Sequence, residues 1–240
     1  FGLNDLFRLG LEKIELIRLS QKAENEFVGV NCGIMDQFAV GMGVKDKALF
    51  LNCHTLGYEL IPLKLEGYKL VIVNSNKHRS LTDSKYNERV AECQLAVTYL
   101  SQVIDISGLA ELGFPQFFKL QQHIPDEVIR KRARHVISEN QRVLNSVNCL
   151  WKNDLAQFGN LMNSSHDSLK ENYEVTGIEL DTLVEEAREI QGVLGARMTG
   201  AGFGGCTVNL VANDATEKFI QQVSENYLAK TGLKADFYMA

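Results

Sequence analysis

Over residues 11–28 apolar side chains return at helical intervals with charged residues between them, as LEKIELIRLSQKAENEFV shows, and the spacing predicts an amphipathic helix. Leu6 and Leu9 extend the pattern back toward Phe1. Residues 31–43, NCGIMDQFAVGMG, interrupt it with glycines and almost no charge. Two short β-prone runs follow within 47–63 around a turn at 55–57, and YKLVIVN at 68–74 is a third strand candidate. Runs this short and closely spaced suit an antiparallel group. From Ser80 the period becomes helical and predicts helices over 83–103, 126–149, 150–163 and 176–191. The second of these carries an apolar stripe of Val128, Ile129, Val136, Ile137, Val143, Leu144 and Val147. The chain then returns to strand, glycine-rich turn, strand, a helix over 214–229 and a last strand, ADFYMA. The expected fold class is α+β, with antiparallel sheets and helices layered on them.

At 240 residues, 45% of them apolar, the chain can bury a sizeable core in one large or two small domains. With three prolines and 23% charged residues, no stretch reads as a disordered linker. A net charge of −5 argues against a nucleic-acid surface or an acidic membrane as the main partner. No apolar run approaches the roughly 18 residues of a spanning helix. Five cysteines, an odd number without a C-x-x-C pair, argue against a disulfide framework or a zinc cluster; they predict reduced, mostly buried thiols in a cytosolic protein. The histidines lack metal-ligand spacing as well. The basic run RKRAR at 130–134 reads as a solvated helix face, offset by nearby acids, in preference to a phosphate patch. Phe1 already stands inside a helical pattern, so a longer chain is expected.

Residues 196–211, ARMTGAGFGGCTVNLV, hold a dense glycine cluster. Gly200, Gly202 and Gly205 spell G-x-G-x-x-G, but a dinucleotide fingerprint needs its third glycine to open a helix, and here the alternating, β-branched CTVNLV follows. The acidic residue about 20 positions on, Glu225, falls within a predicted helix, which also disfavours a nicotinamide-dependent oxidoreductase. No Lys-Ser or Lys-Thr completes a Walker loop, and the V-A-I-K, H-R-D and D-F-G partners of a protein-kinase glycine loop are missing. What remains is a strand-to-strand loop, either a tightly packed turn or one whose backbone N–H groups converge on an anion. Asp36 is the second candidate. It is the only carboxylate or cation between Glu26 and Lys45, and such a residue is exposed, caps a helix, is paired, or functions. Glu24 reads as part of a solvated helix face or, with Asp36, as half of a carboxylate pair suited to Mg²⁺-assisted phosphoryl transfer.

Five stretches, KAENEFVGVNCGIMDQF, NKHRSLTDSKYNERVAEC, RARHVISEN, LMNSSHDSLKENYEVTGIELDTLVEEA and RMTGAGFGGCTVNL, resemble in this order the galactokinase branch of the GHMP family of small-molecule kinases. The resemblance runs from about Leu11 to the last residue. It implies a GHMP C-terminal domain over 46–240 and the last part of the N-terminal domain over 1–45. It implies transfer of the ATP γ-phosphate to the anomeric hydroxyl of galactose, with ATP and Mg²⁺ as cofactors, in the cytoplasm, and with no nucleic acid or membrane as partner. By position, Asp36 matches the catalytic aspartate that accepts the proton of the sugar hydroxyl, and Gly33 matches a backbone contact to the sugar. Tyr86 matches the tyrosine that touches galactose, although alone it would read as an aromatic packing on the core. Glu24 matches a magnesium-associated glutamate. Gly200, Ala201, Gly202, Phe203, Gly204 and Gly205 match the glycine loop beside the nucleotide phosphates. The family's opening sugar signature and its serine-rich phosphate loop are not among these residues. The resemblance therefore implies a C-terminal portion, inactive without the missing N-terminal portion as its partner. A non-catalytic module that senses sugar and nucleotide is the alternative.

Overall fold

A computed structural model of the chain describes residues 1–78 and 82–239; Arg79, Ser80 and Leu81 within NKHRSLTDSKYNERVAEC, and Ala240 of the last predicted strand, lie outside the described residues. The chain separates into two units, Phe1–Lys64 and Leu65–Ala240.

In the first unit the initial helical pattern resolves into α1 (Gly2–Leu6) and α2 (Lys13–Lys22), because Arg8 and Gly10 take positive φ between them. The N–H of Glu12 opens α2 by donating to Glu15 Oε2 at 2.9 Å. Helix α2 runs on into a π-helical turn, Ala23–Val28, which stops at Gly29 with φ +86°. Helix α3 (Met35–Met42) occupies the glycine-punctuated stretch, where no element was expected. Ile34, Phe38 and Met42 recur every four residues and pack with Ile14 and Ile17. Gly41 permits that approach, since a methyl there would stand 2.6 Å from Ile17 Cδ1. Strands β1 (Lys47–Leu51) and β2 (Tyr58–Pro62) form the expected antiparallel hairpin, with Lys47 opposite Pro62 and Leu51 opposite Tyr58. Asn52 Oδ1 closes the turn by accepting the N–H groups of His54 and Thr55 at 3.0 Å each. Leu3, Leu6, Phe7, Leu9 and Phe27 remain exposed.

The second unit is built on a four-stranded antiparallel sheet in the order β4-β5-β3-β6, formed by β3 (Tyr68–Asn74), β4 (Val193–Thr199), β5 (Cys206–Ala212) and β6 (Asp236–Met239). Val71, Val73, Ala196 and Val211 meet helices α8 (Ile178–Arg188) and α9 (Thr216–Thr231) in a core that buries Leu183, Phe219 and Tyr227. A second core joins α4 (Thr82–Leu100), α5 (Phe114–Leu120) and α6 (Glu127–Trp151) through Leu100, Phe117, Ala133 and Ile137. Asp126 starts α6 by accepting from Val128 and Ile129 at 2.7 and 3.1 Å. The stripe predicted on α6 is rotated in the structure: Ile129, Ala133 and Ile137 are buried together with Arg132 and His135, whereas Val128, Val143 and Leu144 are exposed. Polar side chains with partners take inward positions that an apolar count does not see. The five cysteines form no disulfide; Cys149 is buried, Cys53 is exposed and the other three are half-buried, so the thiols are less buried than expected.

Helix α7 (Leu155–Ser168) closes the free side of β4, the end strand. Gly159 and Gly195 touch, so a methyl on Gly159 would stand 2.3 Å from the Leu194 carbonyl oxygen. One and two helical turns on, Asn163 Oδ1 accepts the Ala196 N–H at 2.9 Å and His166 Nδ1 accepts the Met198 N–H at 3.2 Å. Side chains thus satisfy backbone groups that a further strand would otherwise take.

Candidate active site

In the first unit the π-turn, the connection after it and α3 carry Glu24, Gly33 and Asp36 in turn. The Glu24 carbonyl accepts the N–H groups of Gly29 and Val30 at 3.0 and 3.2 Å, which reverses the chain and leaves the Glu24 side chain exposed. The connection 30–33 is tied back onto α2 and the π-turn: Gln21 Nε2 donates to the Cys32 carbonyl at 3.2 Å, and the Cys32 thiol donates to Asn25 Oδ1 at 3.3 Å. Gly33 is exposed, with open space where a side chain would project. Ile34 occupies the N-cap of α3, so Asp36 is not the cap; it lies in the first turn, exposed, with its charge at the positive end of the helix. Of the four readings open for an isolated carboxylate, capping and burial in an ion pair are removed.

In the second unit the glycine loop joins β4 to β5, as the alternation after Gly205 predicts. Gly200, Gly202, Phe203, Gly204 and Gly205 all have positive φ. Two of the glycines are also required by space. A methyl on Gly202 would lie 2.2 Å from the Val175 carbonyl oxygen, and one on Gly204 would press on Lys77. The loop is pinned from both sides: the Phe203 N–H donates to the Val175 carbonyl at 2.7 Å, and the Gly205 carbonyl accepts from Ser75 N–H at 2.8 Å.

Val175 follows a π-helical turn, Leu169–Tyr173, that leaves the end of α7 through Glu174 in the left-handed region at φ +56°. Such a helix end exposes carbonyl oxygens without intrahelical donors. Two arginines cover them. Arg132 Nη1 donates to the Asn172 carbonyl at 2.6 Å, and Arg89 donates to the carbonyls of Tyr173 at 2.7 Å and Glu174 at 3.4 Å. Glu92 bridges the two guanidinium groups at 2.7 and 2.8 Å, and Glu174 Oε2 accepts from Arg132 at 2.9 Å. The Arg132 bond beside Glu174 holds that carboxyl below its usual pKa despite the opposing effect of partial burial. The Arg132 side chain is 2% exposed, so the expectation that RKRAR is a solvated face fails at its central residue. Charge alone gave no warning, because the acceptors of Arg132, the Asn172 carbonyl and the carboxylates of Glu92 and Glu174, all lie 40 or more positions away.

Tyr86 is half-buried on α4. Burial drives the Tyr173 hydroxyl far above its usual pKa, with Cys93 and then Tyr86 adding to the effect. The Tyr173 ring stacks on His135 at 4.5 Å, and the His135 Nδ1 lies 3.0 Å from Ser168 Oγ. Burial lowers the His135 pKa to about 4. His166 accepts at Nδ1, so its proton sits on Nε2, 3.3 Å from Asp181 Oδ1, near enough for attraction though not aligned as a hydrogen bond. Burial works against the charge of Asp181, but His166, Thr176 and Lys170 together keep its pKa below the usual value. Sequence reading missed Arg89, Glu92, Arg132, Glu174 and His135. The one available signal was that they fall inside the stretches that carry the family resemblance.

Two family models match the chain, GHMP kinases N terminal domain over residues 1–44 and GHMP kinases C terminal over residues 146–229. With that domain pair and the glycine loop set between antiparallel strands, the chain belongs to the GHMP kinase family. The relatives it resembles within that family at about half identity include galactokinases. That of Fusobacterium nucleatum is 54% identical over 239 residues and that of Clostridium acetobutylicum 53% over 237, each comparison taking in 99% of this chain and 61% of the relative. The crystal structure of Lactococcus lactis galactokinase complexed with galactose, 49% identical, matches with a TM-score of 0.97 over 100% of this chain and 62% of that one. L. major mevalonate kinase, 19% identical with a TM-score of 0.60, shares the fold. The chain spans about three fifths of the length of the curated relatives it matches.

Proposed function

We propose that the chain is the C-terminal part of a galactokinase, which transfers the γ-phosphate of ATP to the anomeric hydroxyl of galactose. The observation that carries this reading is the likeness to galactokinases along nearly the whole chain, at 53–54% identity, together with the close match to a galactokinase solved with galactose. In the reaction the sugar oxygen bonds to the γ-phosphorus, the bond to the β–γ bridging oxygen breaks, ADP leaves, and the hydroxyl proton passes to Asp36. An exposed carboxylate in the first turn of a helix suits that task, and the bare backbone at Gly33 suits close approach of a sugar. Tyr86 contributes an aromatic contact to the sugar, and the loop from Gly200 to Gly205 lies beside the nucleotide phosphates.

Mg²⁺ asks a protein for one or two carboxylates and leaves the rest of its shell to water and phosphate. Glu24, an exposed hard-oxygen donor on the π-turn, fits that demand. Among the described residues no three His, Cys, Asp or Glu side chains group to hold a metal by themselves. When bound, the ion neutralises charge on the β- and γ-oxygens. Five cysteines without a disulfide suit the reducing cytoplasm.

Phosphoryl transfer relies on positioning, so the 240-residue chain alone is expected to be inactive. The test is a chimera that takes the part this chain does not span from the Fusobacterium nucleatum relative. It should form galactose 1-phosphate from galactose and ATP, and the chain alone should not. In the chimera Asp36→Asn should lower kcat by ~10²–10⁴-fold while galactose affinity changes far less. Turnover by the chain alone would refute the expected inactivity, and near-wild-type kcat in the variant would remove Asp36 from the chemistry.

A further inference from the structure

We infer that Arg132 is a positioning residue for the glycine loop, acting through residues 172–175; its consequence for nucleotide rests on the galactokinase reading above. The path is short and each step is a contact. Arg132 bonds the Asn172 carbonyl, the Glu174 carboxylate and, through Glu92, the Arg89 guanidinium that holds the carbonyls of Tyr173 and Glu174. Glu174 carries a Cβ in the left-handed region, a conformation that persists only when its surroundings impose it. That conformation aims the Val175 carbonyl at the loop, where it accepts the Phe203 N–H at 2.7 Å and stands against Gly202. A shift of the turn therefore moves the loop, because Gly202 has no slack on that side. Glu92 and Arg89 come from α4, Arg132 from α6 and the turn from the end of α7, so three helices meet at the turn whose next carbonyl, that of Val175, holds a loop of β4–β5. An arginine is required at the hub. Its planar fork reaches Glu92, Asn172 and Glu174 together, whereas a lysine keeps the charge but presents it at one point.

The deciding measurement is residue-resolved hydrogen exchange on the 240-residue chain with Arg132→Lys. The Phe203 amide should exchange about tenfold faster or more, while the amide of Leu210, in the middle of the sheet, changes little. An unchanged Phe203 amide would overturn the inference, as would equal acceleration at Leu210, which marks plain loss of fold stability. If Arg132→Lys does not fold, Glu174→Gln, which alters a half-exposed partner of the same guanidinium, is read against the same two outcomes. In the chimera, Arg132→Lys should raise KM for ATP several-fold and leave KM for galactose unchanged. An equal rise in both would overturn the link to nucleotide. A wild-type chimera without ATP-dependent galactose phosphorylation would sink the galactokinase reading instead, and the exchange result would still decide the role of Arg132.

Discussion

Lowering the pH from about 7.5 to about 5 should cost the second unit about 2 kcal/mol of stability through His135 alone. The ring is 5% exposed, stacked on Tyr173 and beside Ser168, and burial lowers its pKa from 6.5 to about 4. An unfolded chain then takes up a proton near pH 6.5 that the folded chain takes up only near pH 4. Stability from this group is fully present above the unfolded value and drains away as pH falls toward the folded one. The whole interval is worth about 3 kcal/mol at about 1.4 kcal/mol per unit, of which about 2 is lost by pH 5. Glu139, Glu174 and Asp181, whose pKa values are also depressed, act in the same direction, but each begins to matter only as pH approaches the ordinary carboxylate value of 4.5 or 3.8. Urea denaturation at both pH values, on the wild type and on His135→Gln, separates the contributions. The variant should start less stable at neutral pH and lose much less on acidification. Equal losses in the two proteins, or a wild type that is flat over this range, would refute the reasoning.

The remaining predictions concern the glycine loop and the first unit. Gly200→Ala meets open space but a φ of +82°, and should cost about 1–2 kcal/mol in a denaturation experiment; Gly202→Ala adds the Val175 carbonyl and should cost about 2–5. Equal costs would mean that Val175 does not bear on the loop. Leu3, Leu6, Phe7 and Leu9 are exposed on the first unit, so amides of residues 1–20 should exchange rapidly in a monomeric sample, and slow exchange throughout would contradict this.

Much of the architecture was legible because the period of the hydrophobic pattern changes where the structure does. The hairpin around residues 55–57, the strand at 68–74 and the strand after Gly205 all follow from alternation and turn chemistry. Helix α3 was not legible, since two of its flanking signals are glycines and its inward face is spread over Ile34, Phe38 and Met42 with Gly41 between. The arginine cap on the end of α7 was hidden for a different reason. Its acceptors are main-chain oxygens 40 and 84 positions from their donors, and side-chain chemistry cannot announce a backbone partner. The positions of Asp36, Gly33 and Glu24 stood out by composition or resemblance, but the π-turn that shapes the approach to them left no mark in the hydrophobic pattern.

The place of β3 inside its sheet sets a schedule for making the protein. Both neighbours of this strand come late: β5 begins about 130 residues after β3 ends, and β6 later still. At ~5–20 residues per second a ribosome needs roughly 7–25 s to deliver β5. Val71 and Val73, wholly covered at the end, have no strand partner through that interval, while the helical layer of α4 to α6 can already assemble. A nascent chain released before Cys206 would carry an apolar strand with two open edges, the kind of segment that chaperones bind and that joins other chains when they do not.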